Sequence, residues 1–301
     1  MTAAENPVSR ASAGLGIGLT AFSAATFGFG TTFAVFAYQG GSNPLTVVLF
    51  RTAAFVIVMG LAMLVLRRLA PLSRHALLGT LWMAVTLVVV SLGYQGSVAF
   101  IPVSLAALIF YSYPLLVGLV AVMGRRDRMT AGKAAALLAA FIGLALALSP
   151  GLDVLDWRGI VLALGAALGM AVTIAFGGKA MRGEDPLLMS LYTNFWMLAA
   201  LAVVVVMVTG GVALPATRLG VVGAAGVCLT YVIAYACWYL ALNLVRPVRL
   251  AALFNIEPLV TLLVAWLALN ERMSAIQFLG AALVLASILS VSLYPADSKD
   301  S

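Results

Sequence analysis

Asp127-Arg128-Met129-Thr130 and Glu271-Arg272-Met273-Ser274 are two related stretches, one in each half of the chain. A proline precedes each stretch at the same spacing, Pro114 in the first half and Pro258 in the second. One sequence pattern therefore occurs twice, which predicts two structural repeats. The pairing continues nearer the N-terminus, at nearly the same offset, with two Xaa-Pro-Leu tripeptides: Asn43-Pro44-Leu45 and Asp185-Pro186-Leu187.

The composition excludes a water-soluble fold. Hydrophobic residues make up 64% of the 301 residues and charged residues only 9%, whereas a soluble domain carries about 25% charged residues. The mean hydropathy is +1.13, which leaves too little polar surface for a globular protein in water. The chain is therefore expected to lie almost entirely within a lipid bilayer.

Ten apolar runs have the length of a membrane-spanning helix, which is about 20 residues. Short loops rich in Gly, Pro, Ser and Asn separate them, and no loop is long enough to hold a soluble domain. The predicted fold class is therefore all-α integral membrane, with ten transmembrane helices. The predicted segments are 13–37, 44–66, 76–98, 103–123, 132–149, 157–178, 187–209, 218–241, 247–269 and 275–293.

The distribution of positive charge predicts the orientation of these helices. Of the 17 Lys and Arg residues, 13 fall in the tails and in loops on the side of the N-terminus, three fall in loops on the opposite side, and Arg51 lies inside the second segment. Positive charge concentrates on the cytoplasmic side of membrane proteins, so both termini are expected to be cytoplasmic. The N-terminus is not expected to be a cleaved signal, because its apolar run exceeds the roughly 7–15 residues of a signal core.

An odd number of helices in each half has a topological consequence. Residues 11–149 form the first predicted repeat and residues 150–293 the second, with five helices each. The second repeat must then enter the membrane from the opposite side, so the two repeats are inverted about an axis in the membrane plane. Such a protein can expose a central site to each side in turn, by alternating access, as transporters do.

Two prolines interrupt the interiors of predicted helices, Pro114 in the fourth segment and Pro258 in the ninth. Proline removes an amide and clashes with the carbonyl four residues earlier, here that of Phe110 or Phe254. In lipid, a freed carbonyl needs a partner in protein, water or substrate. A passive kink is one interpretation. Because the proline recurs at matching positions of both repeats, the preferred prediction is a pair of hinges beside a cavity.

Two charged residues lie within the predicted spans, Arg51 in the second segment and Glu257 directly before Pro258. A charge in hydrocarbon is costly, so by default it faces protein or water and has a partner. A structural Arg–Glu tie and a role in substrate binding are both open at this stage. Proton coupling through Glu257 is less favoured, since no relay of further carboxylates accompanies it.

Aromatic and amide side chains in the middle of the spans form the candidate substrate site. Tyr231, Tyr235 and Trp238 fall at i, i+4 and i+7 of the eighth segment, on one helical face. A deep site with rings, hydroxyls and amides favours a flat, amphipathic organic molecule over a bare ion. The predicted substrate-binding residues are Tyr94, Gln95, Tyr111, Tyr113, Tyr231, Tyr235, Trp238 and Asn255.

Three local patterns carry a resemblance to a known family: Asn43-Pro44 leading to Arg51, Glu257-Pro258, and Leu269-Asn270-Glu271-Arg272-Met273 before the last segment. With ten helices in two repeats, the chain resembles the EamA family of the drug/metabolite transporter superfamily over essentially its whole length. Two positions depart from the family pattern, since glutamate is usual at both: Asp127 and Tyr113. The resemblance implies a multi-pass transporter of the bacterial inner membrane. The aromatic-rich middle looks most like the bacterial aromatic amino acid exporters of the YddG type, which implies export of aromatic amino acids.

Other classes of function have less support in the sequence. An intramembrane enzyme would need a nucleophile with a base, or a metal cluster. The single histidine, His75, lies at a segment end, and Cys228 and Cys237 lie on different faces of one helix. There is no phosphate-binding loop for ATP and no ring of charges typical of a channel. The basic residues are scattered over loops, which argues against a nucleic-acid partner.

The protein is therefore expected not to be an enzyme and to hold no metal ion or cofactor. Its expected partners are a small-molecule substrate and the lipid bilayer. Broad-specificity efflux of hydrophobic drugs or organic cations is the alternative transport function.

Cysteine labelling tests the predicted orientation. In a variant that lacks Cys228 and Cys237, Arg126→Cys should react with a membrane-impermeant maleimide only from the cytoplasmic side and Gly151→Cys only from the outer side, because the inner loops carry the positive charge. Ala140→Cys, in the middle of the fifth segment, should react from neither side and serves as the control. The reverse accessibility of the two loop cysteines would overturn the predicted orientation.

Overall fold

The computed structural model describes residues 7–97, 100–101, 103–123, 130–148, 156–180, 183–268 and 274–293. Within these ranges the regular secondary structure is entirely α-helical, in agreement with the predicted all-α class. The repeat-end motifs at 127–129 and 271–273, and the predicted loop around Pro150, lie outside the described residues.

Twelve helices follow one another in the described part of the chain. In chain order they are α1 (Pro7–Gln39), α2 (Pro44–Val65), α3 (Arg74–Ser97), α4 (Val103–Phe110), α5 (Tyr113–Met123), α6 (Ala131–Leu148), α7 (Trp157–Ala180), α8 (Pro186–Thr209), α9 (Arg218–Leu242), α10 (Pro247–Leu253), α11 (Ile256–Ala268) and α12 (Ala275–Leu293).

These helices coincide with the predicted apolar segments, and two of the segments are broken. Segment 103–123 is divided into α4 and α5, and segment 247–269 is divided into α10 and α11. By length and apolar composition, seven helical stretches of the described chain can cross a membrane. The protein is therefore a multi-pass membrane protein that is all-helical over its described residues. The count of ten spans and the inversion of the two repeats remain predictions.

The paired Xaa-Pro-Leu tripeptides are two equivalent helix starts. The Asn43 Oδ1 atom accepts a hydrogen bond of 2.8 Å from the Thr46 amide at the start of α2. The Asp185 carboxylate accepts one of 3.0 Å from the Leu187 amide at the start of α8. In both helices a proline follows the cap, at a position where no amide hydrogen is needed. The sequence match between the two tripeptides thus corresponds to one local structure.

Helix packing follows the same pattern in both halves. α1 packs on α9, and its sequence counterpart α7 packs on α3. α1 also contacts α11 while α7 contacts α4 and α5, and α2 contacts α9 while α8 contacts α3. α2 packs directly on its own counterpart, α8, and α6 packs on its counterpart, α12. Each of these contacts recurs when one half is exchanged for the other, which supports the interpretation as two equivalent repeats.

Glycine lets the two halves approach closely where α1 meets α9. A Cβ atom on Gly223 would lie 2.5 Å from the Ala37 amide nitrogen and 2.6 Å from the Phe33 carbonyl oxygen. Side-chain carbons do not approach backbone atoms this closely, so only glycine fits at this position. Gly165 on α7 differs, because a Cβ there would meet no described atom within 4 Å.

Replacing these two glycines by alanine should have opposite effects on stability. Gly223→Ala forces α1 and α9 apart and should destabilise the protein by about 1–3 kcal/mol, as overpacked cores do. Gly165→Ala adds a better helix former in open space and should leave the melting temperature unchanged or raise it. Thermal unfolding in detergent, followed by tryptophan fluorescence, measures both. Equal shifts in the two variants would contradict the close approach at Gly223.

Candidate functional site

The two helix breaks lie directly before the two interior prolines. The Ser112 amide bonds to the Ile109 carbonyl at 3.2 Å and the Asn255 amide to the Ala252 carbonyl at 3.2 Å, so both breaks contain a tightened i→i+3 turn. Pro114 then falls in the first turn of α5, and Pro258 in the first turn of α11, where a missing amide is tolerated. α10 packs on α5, which brings the two broken helices together. Their role as hinges remains a prediction.

One group of rings surrounds the predicted face of α9, and we call it the α9 aromatic cluster. Tyr231 and Tyr235 stack, with ring centroids 4.5 Å apart and planes at 28°. The Trp238 ring lies 5.4 Å from that of Tyr235. All three side chains are buried, so the structure brings these predicted residues together. The members of the cluster are Phe27, Phe55, Tyr231, Tyr235, Trp238, Tyr239 and Phe254.

A second group of rings surrounds the first break, and we call it the α5 aromatic cluster. Phe110 is at its centre, with ring centroids 5.2 Å from Tyr94, 5.3 Å from Tyr111 and 5.5 Å from Tyr113. Phe110 and Phe254 precede their prolines at the same spacing. Each half therefore contributes a phenylalanine at its own helix break to an aromatic cluster.

Each cluster adjoins one of the two intramembrane charges. The Arg51 guanidinium carbon lies 4.8 Å from the centroid of the Tyr231 ring, within the range of a cation–π interaction. The Glu257 carboxylate lies within electrostatic range of Tyr111 in the α5 aromatic cluster and of Arg51. In the described part of the chain, ion pairs within 4.0 Å join Arg68 to Asp185 and Arg158 to Asp156, but none joins Arg51 to Glu257.

Several polar atoms of this region are buried without a hydrogen-bond partner among the described residues. Asn255, at the second break, is 1% exposed and its Oδ1 atom is unpaired. Buried polar atoms in folded proteins almost always have a partner, so these atoms can accept or donate a bond to a bound molecule. The unpaired atoms of the candidate site are Arg51 Nε, the Tyr113 hydroxyl, Trp238 Nε1, the Tyr239 hydroxyl and Asn255 Oδ1.

Gln95 lies apart from both aromatic clusters. Its side chain lies near Tyr38, which lies within electrostatic range of Arg51. Gln95 also faces a groove of about 430 Å³, where the start of α2 meets the ends of α3 and α8. The groove is lined by Asn43, Pro44, Leu45, Leu92, Gln95, Gly96, Val204, Val208 and Thr209. Gln95 thus faces the groove and not the aromatic clusters.

Asn194 on α8 is a site residue that the sequence prediction missed. It is fully buried, and its Oδ1 atom accepts a hydrogen bond of 3.1 Å from the Tyr231 hydroxyl. Its Nδ2 atom donates to the Ser190 carbonyl at 2.9 Å. The sequence does contain a signal for Asn194. When the halves are aligned by the two Xaa-Pro-Leu tripeptides, Asn194 aligns with Thr52, which is next to Arg51. The rings of Phe27 and Phe55 carry no such signal, whereas Tyr239 lies four residues after Tyr235 on the same helical face.

The described residues contain no group of three or more His, Cys, Asp or Glu side chains that could hold a metal ion. Cys228 and Cys237 are free thiols, and His75 is exposed near the start of α3. The chemistry of the site therefore rests on rings, amides, hydroxyls and two charges.

Comparisons with known proteins relate the chain to transporters. Residues 157–293, from α7 to α12, match the EamA-like transporter family. A protein crystal structure that is 16% identical in sequence shares the fold, with a TM-score of 0.75 over 92% of this chain and 96% of that chain. No curated protein matches the chain. The second half of the chain is thus similar to EamA-like transporters, which supports a relationship to the drug/metabolite transporter superfamily.

Proposed function

We propose that this protein exports aromatic amino acids, or similarly flat zwitterions, through a site between its two halves. The match to EamA-like transporters supports the transport of a small molecule across the lipid bilayer. One observation carries the finer proposal. In both halves a helix is broken before a proline, and the phenylalanine one helical turn before that proline lies in an aromatic cluster.

A pair of broken helices suits a transport site because of the backbone groups that it frees. In the bilayer core, an interrupted helix is tolerated only where protein or a water-filled cavity satisfies the backbone. Transporters built from repeats place their substrates at such discontinuous helices, near the middle of the membrane. α5 and α10, which belong to the two broken helices, pack on each other, so one substrate could contact both breaks.

The two aromatic clusters favour a substrate with an aromatic ring. A ring–ring contact contributes about 0.5–1.5 kcal/mol beyond the burial of its surface. Two or three such contacts give binding in the millimolar to sub-millimolar range once association costs are subtracted. Weak binding of this order suits an exporter, because the substrate must be released on the far side of the membrane.

The matching packing of the two halves supports alternating access as the mechanism. If the halves exchange conformations, α1–α9 and α7–α3 exchange their environments, and the site opens first to one side and then to the other. In this proposal Pro114 and Pro258 are the hinges. The charge distribution supports cytoplasmic termini in a bacterial inner membrane, with export toward the outer side.

Transport into liposomes tests the substrate class. Phenylalanine, tyrosine and tryptophan should enter faster than alanine or glutamate. Tyr235→Leu removes the central ring of the α9 aromatic cluster and should lower the rate for tryptophan by about three- to tenfold, the equivalent of one ring contact. Phe195→Leu changes a half-exposed ring on α8 and is the matched control.

Equal rates for alanine and tryptophan would contradict the proposed substrate class, as would an unchanged tryptophan rate in Tyr235→Leu. Inhibition of transport by bulky organic cations, together with a strict requirement for Glu257, would instead favour the broad-specificity drug exporter.

The hinge function of the prolines has a separate test. Pro114→Ala and Pro258→Ala each restore an amide that can extend the helix across the break. Each should lower turnover by about tenfold, a barrier change near 1.4 kcal/mol, with normal membrane insertion. Pro44→Ala, at the start of α2, is the control, because that proline interrupts no helix. Normal turnover in the Pro114→Ala, Pro258→Ala double variant would make both prolines passive packing features.

A further inference from the structure

We infer that Arg51 and Glu257 form a zwitterion-binding pair, in which Arg51 binds the carboxylate of an α-amino acid and Glu257 binds its ammonium group. The inference rests on the proposed function and specifies the chemical groups that the site recognises. It concerns the head group of the substrate, whereas the aromatic clusters concern its side chain.

Arg51 is a cation without an anionic partner in the described part of the chain. Its Nε atom is buried and makes no hydrogen bond, and no described carboxylate lies within 4.0 Å. A guanidinium at membrane depth requires an anion or water. Its planar fork matches a carboxylate, which it can bind through two parallel hydrogen bonds. The carboxylate of a substrate therefore supplies the missing partner.

Tyr231 and Asn194 hold Arg51 in place for this contact. The guanidinium carbon lies 4.8 Å from the centroid of the Tyr231 ring, and the Tyr231 hydroxyl donates to Asn194 Oδ1 at 3.1 Å. Asn194 is fully buried and is fixed in turn by its bond to the Ser190 carbonyl. Asn194 is thus a positioning residue, because it orients Arg51 through the tyrosine ring. A group held in its bound orientation loses less entropy on binding.

Glu257 offers the complementary charge from the other half of the chain. Its carboxylate lies within electrostatic range of Tyr111, and a carboxylate has about four acceptor positions, so it has capacity for an ammonium group. Asn255 lies two residues earlier, in the same helix break, with an unpaired Oδ1 atom. An ammonium group has three donors and no acceptor, and this pair of acceptors suits it.

The separation of the two charges favours a bound zwitterion over a direct ion pair. Arg51 lies within electrostatic range of the Glu257 carboxylate, but the two do not approach within 4.0 Å. A molecule with both charges can bridge the two groups and bring α2 and α11 together at one ligand. A single cation or a single anion would leave one of the two charges unpaired, which is costly in a buried site.

Three indole compounds separate the two contacts in a liposome transport assay. Tryptophan carries both charges, tryptamine lacks the carboxylate, and indole-3-propionate lacks the ammonium group. The wild-type protein should prefer tryptophan to both analogues. Arg51→Gln should reduce the preference for tryptophan over tryptamine by about ten- to hundredfold, the range of a charged hydrogen bond. Glu257→Gln should instead reduce the preference for tryptophan over indole-3-propionate.

Two further variants test whether other residues position Arg51. Neither variant removes the charge of Arg51. Asn194→Leu and Tyr231→Phe remove the same hydrogen bond, so each should weaken the preference for tryptophan over tryptamine, and the double variant should lose no more than one single variant. Thr173→Val is the matched control, because it also removes a buried hydroxyl, whose bonds go to Thr86 and Gly169. Its preference should equal that of the wild type.

The outcomes distinguish this inference from the function on which it rests. If the wild-type protein transports none of the three compounds, the proposed function fails. If it transports tryptophan but does not prefer it to tryptamine, the zwitterion-binding pair fails and aromatic transport stands. The pair also fails if the single variants lower all rates equally with unchanged preferences, since that result assigns Arg51 and Asn194 a structural role only.

Discussion

Within the bilayer, every backbone amide and carbonyl needs a hydrogen-bond partner. The rest of this structure depends on that constraint. An unbroken helix satisfies its own backbone, so a break in the ladder is tolerated only where protein, water or ligand replaces the lost bonds. The described chain has two such breaks inside its apolar segments, before Pro114 and before Pro258. Since both breaks are flanked by rings and adjoin a charge, the places where the backbone is interrupted are also the places that can bind a substrate.

The second consequence concerns the way in which the two halves meet. Close backbone approach at Gly223 fixes α9 on α1, and the main packing pairs α1–α9 and α2–α9 have counterparts in α7–α3 and α8–α3. A site at the centre of such an arrangement takes its groups from both halves: Arg51 and the break at 111–112 from the first, Glu257 and the α9 face from the second. Any movement of one half against the other therefore changes the site, which is the property that alternating access requires.

Much of this architecture can be predicted from the sequence because it depends on one-dimensional signals. Apolar runs locate the helices to within a few residues, and the interior prolines locate the two breaks. The Xaa-Pro-Leu tripeptides locate two equivalent helix starts, at Asn43 and Asp185. Helical spacing also groups Tyr231, Tyr235 and Trp238 on one buried face. Each of these features can be predicted without knowing which helices are in contact.

The rest of the site depends on contacts between distant helices, which single-sequence patterns do not specify. Asn194 is a lone amide in an apolar helix, and its importance appears only when Tyr231 is seen to bond to it. Gln95 follows Tyr94 in sequence, yet Tyr94 packs in the α5 aromatic cluster while Gln95 faces the groove. Phe27 and Phe55 lie in helices distant from α9 in the sequence, and the packing of α1 and α2 on α9 places them against Tyr235.

Photolabelling with 4-azidophenylalanine tests the central claim most directly, because it reports which residues surround a bound aromatic amino acid. The label is activated on protein in liposomes, and the modified residues are mapped by mass spectrometry with and without excess tryptophan. A site shared by both halves predicts adducts in the α5 aromatic cluster and in the α9 aromatic cluster, both suppressed by tryptophan. Adducts confined to one half, or adducts on lipid-facing residues that tryptophan does not displace, would contradict a shared central site.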